Sequence, residues 1–174
     1  LLDCNPGLCT TPTWSPDGQL IAYQRQEPAP GSSSMAGPLG PSRVWILDME
    51  TKETAPLMQD NQVLGFSPTW SPDGSRIAFF DSNGGAIRIL SLDPARSSSI
   101  LLSSLMGEVG AFSPDGGSMI YTDLQQVGQQ YYAQFWIARF DEEQAVTRLF
   151  DEPFEEQWPA WSPDGKLLAF GRRA

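Results

Sequence analysis

Four aspartates in one repeated sequence context are the first candidates for chemistry in this chain. A pair of carboxylates held close together can act as the acid and the base of a reaction. Each of the four is the third residue of Ser-Pro-Asp-Gly, in which Pro presets φ, Gly supplies a left-handed conformation, and the Ser hydroxyl can bond a backbone N–H across the turn. We therefore predict hairpin turn residues at four separate places, not one catalytic set, for Asp17, Asp73, Asp115 and Asp164.

The groups that most enzymes use for acid–base and nucleophilic catalysis are missing from the sequence. It contains no histidine, which removes Ser-His-Asp and Cys-His catalysis and the commonest metal ligand. It also has no Gly-x-Ser-x-Gly nucleophile elbow and no Gly-x-x-x-x-Gly-Lys-Ser/Thr phosphate loop. The sequence therefore predicts a protein that is not an enzyme and that has no cofactor, no metal site and no catalytic residue.

The two cysteines, Cys4 and Cys9, flank the turn-forming run Asn-Pro-Gly-Leu. A turn there could bring the two sulfur atoms together in a small disulfide ring. The alternative is a pair of free thiols in a loop, and nothing nearby supplies the further ligands that a zinc site requires. A disulfide would indicate an oxidising compartment.

Seven acidic residues towards the end of the chain form a candidate docking patch for a basic segment of another protein. Opposite charge would speed such an association. The alternative is a set of solvated loop residues with no partner. The candidate patch comprises Asp141, Glu142, Glu143, Asp151, Glu152, Glu155 and Glu156.

The overall charge restricts the classes of partner. The formal net charge is −10, from 21 acidic and 11 basic residues, which repels phosphate backbones and anionic lipid surfaces. The apolar runs have the length of strands and are too short to cross a bilayer. We therefore expect other proteins as partners, with no nucleic acid and no direct membrane insertion.

An internal repeat determines which strands and turns carry the candidate residues. An aromatic residue followed by Ser-Pro-Asp-Gly occurs four times, and each copy precedes an apolar strand that ends in another aromatic residue. Two further strands, joined by short polar turns, follow in the first three copies. Four strands in a repeat of about 40 to 50 residues are typical of a β-propeller blade.

The prediction is an all-β fold, a β-propeller of four-stranded antiparallel blades in a single domain over residues 1–174. Residues 11–58, 67–102 and 110–150 make three complete blades, 159–174 make a partial one, and 1–3 match the end of a preceding blade. About three and a half blades form an incomplete ring with exposed strand edges. We expect the remaining blades to come from a longer polypeptide or from a second copy of the chain.

Two features of the repeat have competing interpretations. The connection between the second and third strands is longest in the first unit, where Glu27 to Ser42 are rich in Pro, Gly and Ser. It is predicted to be a flexible excursion, or alternatively a partner-binding loop on a rigid scaffold. The repeat aromatics are predicted to be buried between neighbouring blades rather than to form a stacking platform for bases or sugars; they are Trp14, Trp70, Phe112 and Trp161.

The four [Trp/Phe]-Ser-Pro-Asp-Gly-x-x-apolar-Ala/Ile-aromatic units resemble the WD40-like (PD40-type) repeat of the TolB family of β-propellers, over essentially the whole chain. The resemblance implies blades around a central channel, a place in the bacterial periplasm or at the cell surface, and binding to other proteins. Similar repeats form the propellers of prolyl oligopeptidase-like and tricorn-like peptidases.

The function expected from these observations is a non-catalytic protein-interaction or scaffolding propeller outside the cytoplasm. One alternative is the gating propeller of a peptidase whose catalytic domain is not in this chain. Another is the sensor domain of a membrane-bound regulator.

Overall fold

The structure is a computed structural model that describes residues 2–31, 37–93, 98–140 and 145–173. All regular secondary structure in these ranges is β-strand. The strands are β1 (Leu8–Trp14), β2 (Leu20–Pro28), β3 (Leu39–Asp48), β4 (Thr54–Pro56), β5 (Gly65–Trp70), β6 (Arg76–Asp81), β7 (Ala86–Ser91), β8 (Ser99–Ser103), β9 (Ala111–Phe112), β10 (Ser118–Val127), β11 (Gln130–Arg139), β12 (Val146–Arg148), β13 (Glu155–Trp161) and β14 (Leu168–Arg173).

The strands pair in chain order within each repeat unit. Strands β1 to β4, β5 to β8 and β9 to β12 form three four-stranded sheets, and β13 pairs with β14 in a two-stranded sheet. Every neighbouring pair is antiparallel. These sheets confirm the predicted all-β architecture of antiparallel propeller blades, and in the described part of the chain they do not close into a ring.

The Ser-Pro-Asp-Gly turns are held by a hydrogen-bond network inside each turn. In the second sheet, Gly74 N–H donates to the Ser71 carbonyl at 2.9 Å, and Arg76 N–H donates to Ser71 Oγ at 2.9 Å. Ser71 Oγ in turn donates to Asp73 Oδ1 at 2.6 Å. The other three turns repeat these bonds. All four turn glycines have φ between +69° and +71°, which confirms the predicted left-handed position.

The turn carboxylates give the protein a stability that depends on pH. The Ser71 hydroxyl, with smaller contributions from Ser75 and Arg76, holds the pKa of Asp73 below its ordinary value of 3.8. In the other turns too, the neighbouring serine hydroxyl is the main cause of a lowered aspartate pKa. Because the folded pKa lies below the unfolded one, the stabilisation is complete above pH 3.8 and disappears as the pH falls through the folded values.

We expect the free energy of unfolding to fall as the pH is lowered from 5 towards 2, and Asp73→Asn to reduce this dependence. The variant is less stable at pH 5, since it loses charge-assisted bonds, but it has one fewer carboxylate to protonate. Urea unfolding of both proteins across this range measures the difference. An acid dependence in Asp73→Asn equal to that of the original protein would contradict the role given to the turn.

Apolar faces of successive sheets pack on one another to form the core. Between the first and second sheets lie Ala22, Trp70 and Ile77. A larger cluster between the second and third sheets includes Ile89 and Met119. Burial of these faces is the main favourable contribution to folding, because the short strands expose their apolar sides unless another sheet covers them.

The repeat aromatics link each sheet to the one before it, with one exception. Trp70 is 9% exposed and Phe112 is 7% exposed. The indole Nε1 of Trp70 donates to the Thr13 carbonyl at 3.2 Å, and that of Trp161 donates to the Ala111 carbonyl at 3.3 Å. Trp14 is 55% exposed, so the prediction that it is buried between blades is wrong. Its side of the first sheet has no neighbouring sheet among the described residues.

Two connections between second and third strands consist partly of strand extensions. In the first sheet β2 continues to Pro28 and β3 begins at Leu39, so both ends of the predicted excursion from Glu27 to Ser42 are strand. Its centre, residues 32–36, lies outside the described residues. In the third sheet, β10 and β11 pair continuously to Val127 and Gln130. Leu2 and Asp3 lie in no strand, so their assignment to a preceding blade stays a prediction.

Candidate binding groove

The first strand of three sheets contains a bulge at a residue that precedes a proline. At Thr11, Ser67 and Trp158, φ is +48°, +53° and +57°, a region that residues with a Cβ rarely adopt. The register with the second strand of the sheet shifts at each of these places. The proline that follows has no N–H for the ladder, and a bulge accommodates the missing bond.

The first strand of the third sheet differs from the other three at the corresponding position. Val109 and Gly110 stand where the other repeats have the bulge residue and its proline. A Cβ placed on Gly110 would lie 1.7 Å from the Ile120 carbonyl oxygen, so only glycine fits this close approach between backbones. Regular pairing in the first strand of this sheet is limited to Ala111 and Phe112.

The bulge residues of the second and fourth sheets, and the corresponding segment of the third, line one groove of about 460 Å³, which we call the inner groove. The first strands of the third and fourth sheets, β9 and β13, contact each other beside the groove. In a propeller this side faces the central axis. The lining residues are Phe66, Ser67, Gly107, Glu108, Val109, Gly110, Ala111, Thr122, Trp158 and Pro159.

Trp158 is the most prominent side chain of the inner groove. It is 76% exposed, although tryptophan is a large apolar residue that usually packs inside proteins. Glu108, also exposed, lines the same groove. An exposed indole with a nearby carboxylate is suited to binding a protein segment, because tryptophan dominates the binding energy of many protein interfaces and its ring also attracts cations. The lining hydroxyls, Ser67 and Thr122, have no histidine to activate them.

The predicted acidic patch does not form as a single exposed surface. Asp151 and Glu152 are exposed, but Glu156 is fully buried and cannot take part in docking. Glu156 accepts a hydrogen bond from Phe135 N–H at 3.1 Å, and one from Arg172 Nη2 at 2.6 Å. Asp141, Glu142 and Glu143 lie outside the described residues. For the rest of the patch, including the half-buried Glu155, docking stays a prediction.

The partner of Glu156 is held by aromatic rings as well as by the carboxylate. The Arg172 guanidinium lies 4.4 Å from the ring centroid of Phe150, 5.0 Å from that of Phe154 and 5.3 Å from that of Phe170. Phe170 also packs edge-on against Phe135 of the third sheet. This cluster joins the two-stranded sheet to its neighbour and so fixes the β13 strand that carries Trp158.

Cys4 and Cys9 are joined by a disulfide, with a Cα–Cα distance of 5.9 Å. The ring lies immediately before and within the start of β1. No group of three or more potential metal ligands occurs in the described ranges. In the same ranges there is no helix long and apolar enough to cross a membrane.

We expect no free thiols in protein purified from its native compartment, counted under denaturing and non-reducing conditions. Reduction should lower the free energy of unfolding by about 2 kcal/mol, since the bond closes only a short loop. Two free thiols in the native protein would contradict the bond and remove the main support for an oxidising location.

The inner groove was not predicted from the sequence, although a signal was present. Pro12, Pro68 and Pro159 each stand two residues before a repeat aromatic, within the first strand. A proline inside a strand pattern indicates a bulge or an edge, and bulges redirect side chains. The side chain redirected by such a bulge belongs to the residue before each proline, and in the last repeat this residue is Trp158.

Comparison with known proteins agrees with this architecture. The family described as TolB beta propeller domain matches residues 3–174. The "Uncharacterized peptidase YuxL" of Bacillus subtilis (strain 168) is 26% identical over 168 residues, which are 95% of this chain and 23% of that protein. The chain thus spans about a quarter of the length of this relative.

Solved structures show the same fold at low sequence identity. TolB from Acinetobacter baumannii superposes with a TM-score of 0.63 at 22% identity, over 94% of this chain and 37% of its own. The acylaminoacyl peptidase of Pyrococcus horikoshii gives a TM-score of 0.67 at 16% identity, over 91% of this chain and 27% of its own. The propeller is therefore similar both to TolB proteins and to the propeller parts of peptidases.

Proposed function

Because the chain belongs to the TolB beta propeller domain family, we propose that it is a non-catalytic protein-interaction module whose inner groove binds a segment of another protein. The observation that carries this proposal is Trp158, which a strained bulge holds exposed at the junction of three sheets. Strained backbone persists where the surrounding structure enforces it, and such positions concentrate at binding sites.

The chemistry of the groove favours an extended protein segment over a small substrate. Its lining combines aromatic and small side chains with one exposed carboxylate, Glu108. Gly107, Gly110 and Ala111 contribute little side-chain bulk to the lining. A basic side chain on the partner fits both the Glu108 charge and the Trp158 ring.

We place this function outside the cytoplasm. The disulfide between Cys4 and Cys9 supports that location, because disulfides persist in oxidising compartments and are rare in the cytosol.

Affinity capture from cell-envelope protein of the native host, with three forms of the immobilised chain, tests the proposal. Trp158→Ala removes the indole, and Tyr131→Ala removes a ring that is 57% exposed near the tip of the β10–β11 hairpin and does not line the groove. We expect one partner to bind the original protein and Tyr131→Ala alike, and to bind Trp158→Ala about tenfold or more weakly.

Each other outcome of this capture contradicts part of the proposal. Equal retention by Trp158→Ala would show that the groove is not the binding site. Failure of all three forms to retain a specific partner would count against an interaction function altogether.

A second candidate is a gating propeller attached to a peptidase domain, favoured by the similarity to the Bacillus subtilis protein over 95% of this chain. In that case the inner groove would contact peptide substrates on their way to a catalytic site elsewhere in the protein. The complete gene sequence distinguishes the interaction module from the gating propeller. A Gly-x-Ser-x-Gly elbow in the adjoining coding sequence, followed by Asp and His, would establish the peptidase arrangement.

A further inference from the structure

The third sheet lacks the N-terminal half of its first strand. In the other three sheets the first strand continues to pair with the second strand before the bulge, over two or three residues. In the first sheet, for example, Thr10 lies opposite Gln24. In the third sheet, the pairing of β9 with β10 ends where Ala111 lies opposite Ile120. The part of β10 that follows Ile120 is therefore left without a first-strand partner.

Thr122 and Leu124 of β10 direct their main-chain groups to the side that lacks this partner. Successive residues of an antiparallel strand direct N–H and C=O groups alternately to its two sides. The Ser118 carbonyl accepts from Ser113 N–H on the β9 side, and β10 continues from there without a bulge. Every second residue after Ser118 therefore faces that side. No main-chain hydrogen bond reaches Thr122 or Leu124 from it within the described residues, and we call these groups the open edge.

The connection from β8 to β9 passes over one face of the third sheet and does not fill the open edge. Leu105 N–H donates to Asp123 Oδ1 at 2.7 Å. Asp123 lies on the same face as Tyr121, which packs against the second sheet. A Cβ on Gly107 would lie 3.4 Å from the ring of Phe80 in the second sheet. The connection therefore runs between the second and third sheets, and the line of the missing strand stays free.

The open edge has none of the features that usually keep a strand from pairing with another chain. Natural edge strands are protected by charged side chains, proline or bulges. From Leu124 to Val127, β10 contains no charged residue, no proline and no bulge, and no charge occurs before Arg139. The third sheet packs against the second sheet on one side and contacts β13 of the fourth on the other. This edge is therefore not an outer edge of the described structure.

The open edge adjoins the inner groove. Thr122 and Trp158 both line the groove, and Thr122 is only 2% exposed. Buried main-chain groups without a hydrogen-bond partner are costly, and an added strand removes that cost. The lining contains one carboxylate, Glu108, and no basic residue. Because Asp123 adds a second carboxylate beside the edge, a basic side chain on an added strand would form an opposite-charge cross-strand pair.

We propose that the partner segment bound in the inner groove pairs with β10 as an added strand, through the main-chain groups of Thr122 and Leu124. The proposal rests on the interaction function proposed above and specifies how the partner binds. The occupant is an extended segment with a basic side chain and no proline at the positions that pair. Its main chain takes the places that Thr10 and Leu8 occupy in the first sheet, where they lie opposite the residues equivalent to Thr122 and Leu124.

A proline at position 124 tests this pairing without breaking the sheet. Leu124→Pro removes an N–H that faces away from β11, and proline is tolerated in a strand where its missing N–H is not needed by the ladder. Leu124→Ala is the matched control, because it removes the same side chain and keeps the N–H. Circular dichroism and thermal melting verify that both variants fold.

In affinity capture from cell-envelope protein of the native host, we expect the partner to bind Leu124→Ala like the original chain. We expect it to bind Leu124→Pro about tenfold or more weakly. Equal binding of the two Leu124 variants, together with a loss in Trp158→Ala, would overturn the added strand and leave the function of the groove intact. Undiminished binding of Trp158→Ala would contradict the groove function itself.

Amide hydrogen exchange tests the open edge in the original chain even before a partner is identified. We expect the Leu124 amide to exchange about tenfold or more faster than those of Asp123 and Gln125, whose N–H groups face β11. The captured partner should then slow exchange at Leu124. Equal protection of Leu124 and Asp123 in the free chain would overturn the proposal, because the edge would already be paired. Unchanged exchange at Leu124 in the complex would overturn it as well.

Discussion

Replacing Glu156 with alanine is expected to lower the free energy of unfolding by about 3 kcal/mol, the lower end of the range for breaking a buried ion pair. The change leaves the buried Phe135 N–H without its acceptor, and it leaves the Arg172 guanidinium without its carboxylate. We expect the lower end because the Arg172 side chain is 32% exposed and water partly replaces the lost partner.

The neighbouring residue provides the matched control. Glu155→Ala removes a half-buried carboxylate from the same strand and should change stability by no more than about 0.5 kcal/mol. Urea unfolding at neutral pH measures both variants. A loss in Glu156→Ala as small as in the control would show that the ion pair does not hold the last two strands in place.

Replacing Gly110 with alanine should be at least as damaging, with an expected loss of about 3 kcal/mol or more. The new Cβ would lie 1.7 Å from the Ile120 carbonyl oxygen and 2.7 Å from Tyr121 Cα, and both atoms belong to the β10 backbone. A backbone contact cannot be relieved by a change of rotamer, so β9 and β10 would have to separate.

Gly128→Ala is the control for this steric effect, because it introduces left-handed backbone strain without a steric clash. Gly128 has φ of +64° and nothing within 4 Å of an added Cβ, so only left-handed strain of about 1 kcal/mol applies. Thermal and urea unfolding of the two variants compares the effects. Equal losses would show that the close approach at Gly110 is not needed for the third sheet.

Local sequence chemistry was enough to predict the turns and the order of the strands. Ser-Pro-Asp-Gly encodes its turn within six residues, because Ser71 bonds both Asp73 and the Arg76 N–H. The exposure of Trp14 could not be predicted in the same way. Its burial depends on a second sheet at that side, which no feature of the residues around position 14 specifies.

The burial of Glu156 was missed because of the bulge. Side chains alternate strictly along a regular strand, which would place residue 157 on the same face as Trp161. The bulge at Trp158 adds one residue and reverses this parity, so Glu156 opposite Arg172, and Trp161 opposite Leu168, share one face. The same bulge exposes Trp158. This one feature, which the sequence analysis did not identify, therefore explains both why Glu156 is buried and why the inner groove was not predicted.

The central claim, that the inner groove binds a protein partner, can be tested directly by photo-crosslinking in the native host. A benzophenone amino acid at position 158 keeps an aromatic side chain in the groove, and the same amino acid at position 131 probes an exposed surface outside it. We predict a single crosslinked protein of the cell envelope from position 158 that is not obtained from position 131. Identical products from both positions, or no product from position 158, would contradict the claim.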